Sequence, residues 1–147
     1  MAGIWTASWS TRLPAGATAV GISRSTPRNR AGYRRVRELE PGPWFRSVPA
    51  EIYLQRYGEI LARLDPAAIR DRLFAIGPMP VLLCYEHPAD IQAGKVYCHR
   101  HLVAEWLEHQ CGIQVPELDH PELDRFAHLR PLGIEAPSYC TLQPSRA

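Results

Sequence analysis

Acidic side chains are absent from the first 37 residues of the chain, which hold seven arginines; the first carboxylate is Glu38. Lysine is nearly absent throughout, with Lys95 alone against sixteen arginines. A GC-rich genome produces the second bias without any function, but not a segregation of charge along the chain. From residue 38 onward, ten basic residues face fifteen acidic ones, so a net charge of +2 conceals a basic N-terminal segment joined to an acidic remainder. Such separation points to an anionic partner, a small molecule or nucleic acid.

Other absences exclude whole classes. No apolar run approaches the roughly 20 residues needed to cross a bilayer, so no membrane partner is expected. Residues 1–14 show neither the charged start nor the apolar middle of a secretory signal, and the location expected by default is cytoplasmic. Four cysteines are too few for a disulfide scaffold, and in that compartment they are not expected to pair. No helix-turn-helix, zinc-finger or RNP pattern is present. What remains is a globular composition, 46% hydrophobic and 22% charged, and a length of 147 residues that suits one domain with a real core.

Periodicity supplies the elements. Residues 3–9 alternate Trp5, Ala7 and Trp9 against Ile4, Thr6 and Ser8, the pattern of a strand. A turn at Pro14 and Gly16 leads to a second strand at 18–23, then to a polar loop at 24–30 and one or two helical turns within 33–40. Tyr53, Tyr57, Ile60, Leu61 and Leu64 share one helical face. Asp65-Pro66 caps and opens a second helix with Ile69, Leu73 and Ile76 inward, stopped by Gly77-Pro78. Residues 79–85 are apolar on both faces, as in a strand buried within a sheet. A long loop at 87–97 precedes a helix at 98–111, and 113–115 reads as a short edge strand. The repeated PELD at 116–124 and five prolines after residue 115 mark 118–147 as a proline-rich extension to a single domain at 1–117. Strands alternating with helices predict a compact three-layer α/β domain, its sheet largely parallel and helices on both faces. Ligands of such sheets bind outside the carboxyl ends of the strands, here after residues 23 and 84.

The reactive side chains cluster at those ends. Cys98 is predicted in the first turn of a helix, where the dipole and free N–H groups lower a thiol pKa. His99 follows as a proton carrier and Arg100 as an anion anchor, and Glu86 is the candidate general acid or base. His99 and His101 project to different sides of the helix, so one faces the site and the other the surface. Arg24 directly follows a strand and should enter the crevice, with Arg28, Cys84 and Tyr57 as further substrate-binding candidates. Cys84 within an apolar strand and Tyr57 on an apolar helix face also read as core residues. A phosphatase or rhodanese loop is excluded, because six residues after Cys84 and Cys98 stand Asp90 and Ala104 rather than arginine. Cys84, His87, Cys98, His99 and His101 would suffice for zinc, but only Cys84-x-x-His87 has the spacing of a metal knuckle. No metal and no cofactor are therefore predicted.

The blocks ISRSTPR, Tyr53-x-x-x-Tyr57, VLLCYE and CHRHLVAEWL, over roughly residues 3–117, together resemble the family called "domain of unknown function 488". The resemblance implies a three-layer α/β fold and one pocket lined by Arg24, Pro27, Cys84, Glu86, Cys98, His99 and Arg100. Relatives carry an acidic residue two places before the arginine equivalent to Arg24, where this chain has Ile22. Three functional readings follow. The first is an enzyme acting on an anionic substrate, a nucleotide or nucleic-acid component. The others are a nucleic-acid-binding module built on the 24–37 arginines, and a metal or redox thiol protein built on Cys84 and Cys98.

Overall fold

The computed structural model describes residues 3–134. The alternating first segment forms β1, Trp5–Ser8, followed by β2, Thr18–Gly21, and β3, Tyr33–Arg35. The apolar run forms β4, Pro80–Cys84, and is buried at every position. The four strands make one sheet in the order β1-β4-β2-β3, and every neighbouring pair is parallel. A strand apolar on both faces belongs inside such a sheet, and β4 lies there, between β1 and β2.

Among the described residues four α-helices complete the α/β fold. α1, Ala50–Ala62, buries Tyr53, Leu54, Tyr57 and Leu61. α2, Pro66–Ile76, begins as its sequence predicts, with Asp65 accepting the Ala67 N–H at 3.0 Å and Pro66 in the first turn. α3, Pro88–Gln92, is a short helix within the expected loop, capped by the His87 ring, which accepts the Ala89 N–H at 3.1 Å. α4, His99–Cys111, starts from Cys98 and ends at Gly112, whose φ of 66° is the left-handed conformation glycine adopts freely.

The direction of the connections decides the layering. The two links that step toward β3, from β1 to β2 and from β2 to β3, contain no helix. The links that step the other way carry all four: α1 and α2 before β4, then α3 and α4 before a parallel bridge from Glu117 to Thr6 of β1. Parallel crossovers are right-handed in nearly all proteins, so opposite steps fall on opposite faces. One face accordingly carries α1, α2 and α4 packed on Ile4, Val20, Ile22 and Leu82. On the other face Trp5, Ala7, Trp9, Ala19, Val81 and Leu83 meet Leu13, Ala17, Tyr33 and Leu118, and no helical residue joins that cluster. The expectation of helices on both faces is thus corrected: segments 9–17 and 22–32 cross the sheet as coil. Trp9 fills the space a second helix would take. Its ring lies so close to Gly21 that a Cβ there would sit 2.9 Å from it, and its Nε1–H donates to Ser23 Oγ at 3.0 Å.

Further differences have local causes. Residues 33–40 hold β3 and a single 3-10 turn, Arg37–Leu39, because the backbone of 33–35 pairs with β2 instead of with itself. The edge pairing expected at 113–115 occurs at Glu117, where Thr6 N–H donates to the Pro116 carbonyl and Leu118 N–H to the Thr6 carbonyl. The boundary expected at 117 falls inside packed structure: Leu118 joins the second cluster, and Leu129 is fully buried in the first. Arg125 ties this segment to α4 through Glu105 and Glu108 and donates to the Val115 carbonyl. Residues 135–147 of the predicted extension, with Cys140, lie outside the described residues.

A buried ionic cluster closes the far side of α4. Arg100 and Glu117 are both out of contact with solvent, and the guanidinium grips the carboxylate through Nε at 3.1 Å and Nη2 at 2.7 Å. Thr6 Oγ1 donates to the same carboxylate at 2.6 Å, and His101 Nε2 lies 2.8 Å from it. Burial alone would raise the Glu117 pKa, but the hydrogen bonds from His101 and Arg100 outweigh it and hold the carboxyl well below its usual range. His101 moves the other way from an ordinary histidine: burial and the Arg100 charge depress it to about 4. Its Nδ1 has no partner among the described residues, so protonation would bury an unpaired donor.

Removing one partner of a buried ion pair strands the other charge. Glu117→Ala should cost roughly 3–5 kcal/mol in denaturant unfolding, a large part of the roughly 5–15 kcal/mol of a typical domain, and a loss under 1 kcal/mol would refute a paired, desolvated Arg100. Acid should act in the same direction. Both folded pKa values lie below their ordinary ones, so the unfolded chain binds protons first and stability falls with pH. The loss should begin near pH 6.5 through His101 and deepen through Glu117 below 4.5, and His101→Asn should abolish its first part in thermal melts.

Candidate functional site

From β2 the chain turns toward β3, and from β4 it turns back toward β1, so the carboxyl ends of these two neighbours part and leave a crevice. A cavity of about 430 Å³ opens there. Ser23, Arg24 and Ser25 follow β2 into it, and Cys84, Tyr85 and Glu86 follow β4. Pro41, Phe45 and Arg46 form a second wall, Lys95, Val96 and Tyr97 a third, and Tyr53, His99 and His128 complete the lining.

The floor is where β4 meets the start of α4. His99 is buried, and its Nε2 lies 2.7 Å from the Ile22 carbonyl. A carbonyl only accepts, so Nε2 carries a proton, and in the neutral ring the lone pair is on Nδ1. That nitrogen is 3.6 Å from the Cys84 sulfur. Glu86 Oε2 lies 3.7 Å from the same sulfur on the cavity side. Cys98 completes the cluster: its sulfur, the Cys84 sulfur and His99 Nδ1 all lie within 4.8 Å of one another. Tyr57 meets the His99 ring edge-on, with centroids 5.5 Å apart, and helps fix its plane.

Burial governs the thiol of Cys98. Cys98 caps α4, its sulfur accepting the Arg100 N–H at 3.5 Å, yet its pKa is well above the usual thiol value. Burial is the main cause, and the hydrogen bond and charge of Cys84 add to it, outweighing Arg100. The depressed pKa expected from the helix start is therefore corrected: at 1% exposure, desolvation exceeds the helix-dipole stabilisation of an anion. For His99, burial favours the neutral ring, but hydrogen bonding to Cys98 and to the Ile22 carbonyl, with the nearby Glu86 carboxylate, raises its pKa. Burial pushes Tyr97 up to about 12, so its phenol is a proton donor at neutral pH.

Of the residues proposed from sequence, Arg24, Cys84, Glu86 and His99 converge on the cavity. Cys98 lies beneath it, in contact with the floor but not among its lining residues. Arg100 is directed away, its guanidinium engaged by Glu117 in the interior. Arg28 is exposed in the loop after β2, outside the lining. Tyr57 is fully buried and donates its hydroxyl to the Leu39 carbonyl at 2.6 Å, so Tyr53, one turn earlier, is the tyrosine that reaches the cavity. His101, expected at the surface, is buried against Glu117.

Sequence reasoning passed over Arg46, Lys95, Tyr97 and His128. Arg46 sits in an irregular proline-rich stretch with no period to place it, although Lys95, the chain's single lysine, was a visible signal. Among the described residues neither Arg24 nor Arg46 enters a salt bridge: Arg24 donates to the Pro41 carbonyl at 3.2 Å, and Arg46 lies over the Phe45 ring. Lys95 makes one long contact with Asp90, at 3.9 Å. Among the described residues the rim thus presents three cations around a site whose one carboxylate is Glu86.

Comparison with protein-family models, with curated proteins and with solved structures finds no match to this chain. Among the described residues no helix is long and apolar enough to cross a membrane.

The burial of Cys98 is directly measurable. In the native protein at neutral pH, Cys98 should react with iodoacetamide much more slowly than the half-exposed Cys111, as read peptide by peptide in a mass spectrometer. Faster labelling of Cys98 would mean an activated thiolate that the buried position does not allow.

Proposed function

We propose that the crevice between β2 and β4 is the active site of an enzyme acting on an anionic substrate, a nucleotide or nucleic-acid component. The observation that carries this reading is the pairing of Arg24 and Arg46, two guanidiniums without carboxylate partners among the described residues, over a floor that holds Cys84, His99 and Glu86. Guanidinium recognises phosphate or carboxylate oxygens through paired N–H donors, so the rim supplies charge and orientation. Lys95 adds a third positive charge. The exposed ring of Tyr85 and the half-buried ring of Tyr97 offer flat apolar surface beside that charge, the combination a nucleobase with its phosphate requires.

Within this reading each inner group has a role. Glu86 stands between the rim and the floor and is the general acid or base for the bound anion. His99 holds one proton at Nε2 against Ile22 and keeps Nδ1 available toward the sulfur of Cys84. Of the seven residues that the resemblance groups in one pocket, Arg24, Cys84, Glu86 and His99 line the cavity, whereas Pro27, Cys98 and Arg100 do not. Cys98 acts from beneath the floor, and Arg100 holds the helix that carries it.

Calorimetric titration with inorganic phosphate and with nucleoside monophosphates tests the anion site. Arg24→Ala and Arg46→Ala should each weaken binding by about tenfold or more, since a hydrogen bond to a charged group is worth roughly 1.5–3 kcal/mol. Arg28→Ala should leave it unchanged. Equal binding by the double variant, or no binding of any of these anions by the native protein at low salt, would overturn the assignment.

A further inference from the structure

The cluster below the rim has a composition that proton transfer alone does not require. Two cysteines and one histidine, from the end of β4 and the start of α4, bring three donor atoms within 4.8 Å of one another in a buried setting. We propose that Cys84, Cys98 and His99 bind a thiophilic divalent cation of the zinc class, with its remaining coordination position directed to the crevice. This deepens the reading above, on which it rests for the identity of the working cavity, by naming what the floor contributes.

Three features of geometry support the site. A tetrahedral ion with bonds of about 2.3 Å to sulfur and about 2.0 Å to nitrogen separates those two ligands by roughly 3.5 Å, and Cys84 Sγ to His99 Nδ1 is 3.6 Å. Second, the histidine is already oriented as a ligand: Nδ1 faces the sulfurs, while Nε2–H donates to the Ile22 carbonyl at 2.7 Å. A ligating histidine typically donates its other N–H to a carbonyl or carboxylate, which fixes the tautomer and raises its basicity. Third, the donors come from rigid elements, the central strand and the first turn of a thirteen-residue helix, so the constellation is preorganised.

The donor set also selects the ion. Two sulfurs and an imidazole favour zinc and its neighbours over magnesium or calcium, which require oxygen. Three protein donors among the described residues leave the fourth position open to water or to an oxygen of the substrate, the pattern of catalytic zinc sites. Glu86 lies 3.7 Å from the Cys84 sulfur and lines the same crevice. When bound, such an ion supplies Lewis acidity and lowers the pKa of its water. Binding replaces the thiol protons of Cys84 and Cys98, both of which leave to solvent as the two metal–sulfur bonds form. The loaded floor therefore holds no free thiol. The sequence concealed this set because Cys84 lies fourteen residues from Cys98, with the α3 loop between, instead of in a knuckle.

Titration of the reduced full chain with cobalt(II), in the absence of any substrate, tests the site. One equivalent should produce visible bands of a tetrahedral ion with thiolate-to-cobalt charge transfer, and zinc(II) should displace it. Cys84→Ser, Cys98→Ser and His99→Gln should each weaken binding by more than the roughly 10–100-fold attributable to outer-shell partners, whereas Cys111→Ser should not change it. Should a floor variant fail to fold, the unmutated chain still decides: in urea strong enough to open the buried floor, zinc should slow alkylation of Cys84 and Cys98 while Cys111 continues to react at the same rate. Absence of a charge-transfer band, or equal labelling with and without zinc, would overturn the cation site. Phosphate binding through Arg24 and Arg46 is measured without metal, so either result can fail while the other stands.

Discussion

The carboxylate of Glu117 is the fixed point of this molecule. It is buried beside Arg100 and His101 at the start of α4 and accepts a hydrogen bond from Thr6 of β1. A desolvated charge has few acceptable positions, because a slip by one residue in β1, in α4 or in the segment after it would leave a guanidinium or carboxylate unpaired at several kcal/mol. The network therefore locks the beginning of α4 to the edge of the sheet. Since Cys98 and His99 immediately precede Arg100, the same lock sets where the thiol and imidazole meet the end of β4.

The sheet order acts together with that lock. Links toward β3 and links away from it leave the carboxyl ends of β2 and β4 in opposite directions, and the crevice is the gap between them. Handedness then places α1, α2 and α4 on one face and leaves the other to coil and tryptophan. The basic segment after β2 belongs to that coil, returning across the sheet to reach β3, with Arg30 over the Trp9 ring and Arg35 paired with Glu40. Its concentration of arginine is thus divided among structural duties, and Arg24, at its very start, is the member that lines the cavity.

What the sequence revealed and what it hid follow from the range of the forces involved. Local signals were legible: the Asp65-Pro66 cap, the apolar run of β4, the glycine at 112, and the face formed by Tyr53, Tyr57 and Leu61 all depend on neighbours a few residues away. Long-range pairing was not. Nothing near Arg100 announces Glu117, seventeen residues on, so an arginine in the first turn of a helix reads as an anion anchor when it is an interior counter-ion. The same gap hid His101, whose burial depends on that carboxylate. The elevated pKa of Cys98 was hidden for a related reason: a helix start lowers a thiol pKa only where water or a cation can support the charge, and burial removes the water.

A single backbone oxygen decides what the floor can do. The Ile22 carbonyl accepts from His99 Nε2, and it stands at the end of β2 because Ile22 N–H continues the ladder to the Leu83 carbonyl at 3.1 Å. That pairing fixes the imidazole tautomer and aims Nδ1 at the sulfurs. Were Nε2 to lose this acceptor, the ring would be free to turn or exchange tautomers, and its lone pair would no longer face Cys84. Residue 22 acts on the site through its main chain, while the Ile22 side chain joins the core. The chemistry of the floor is thereby tied to sheet hydrogen bonding, which a substitution at residue 22 leaves in place.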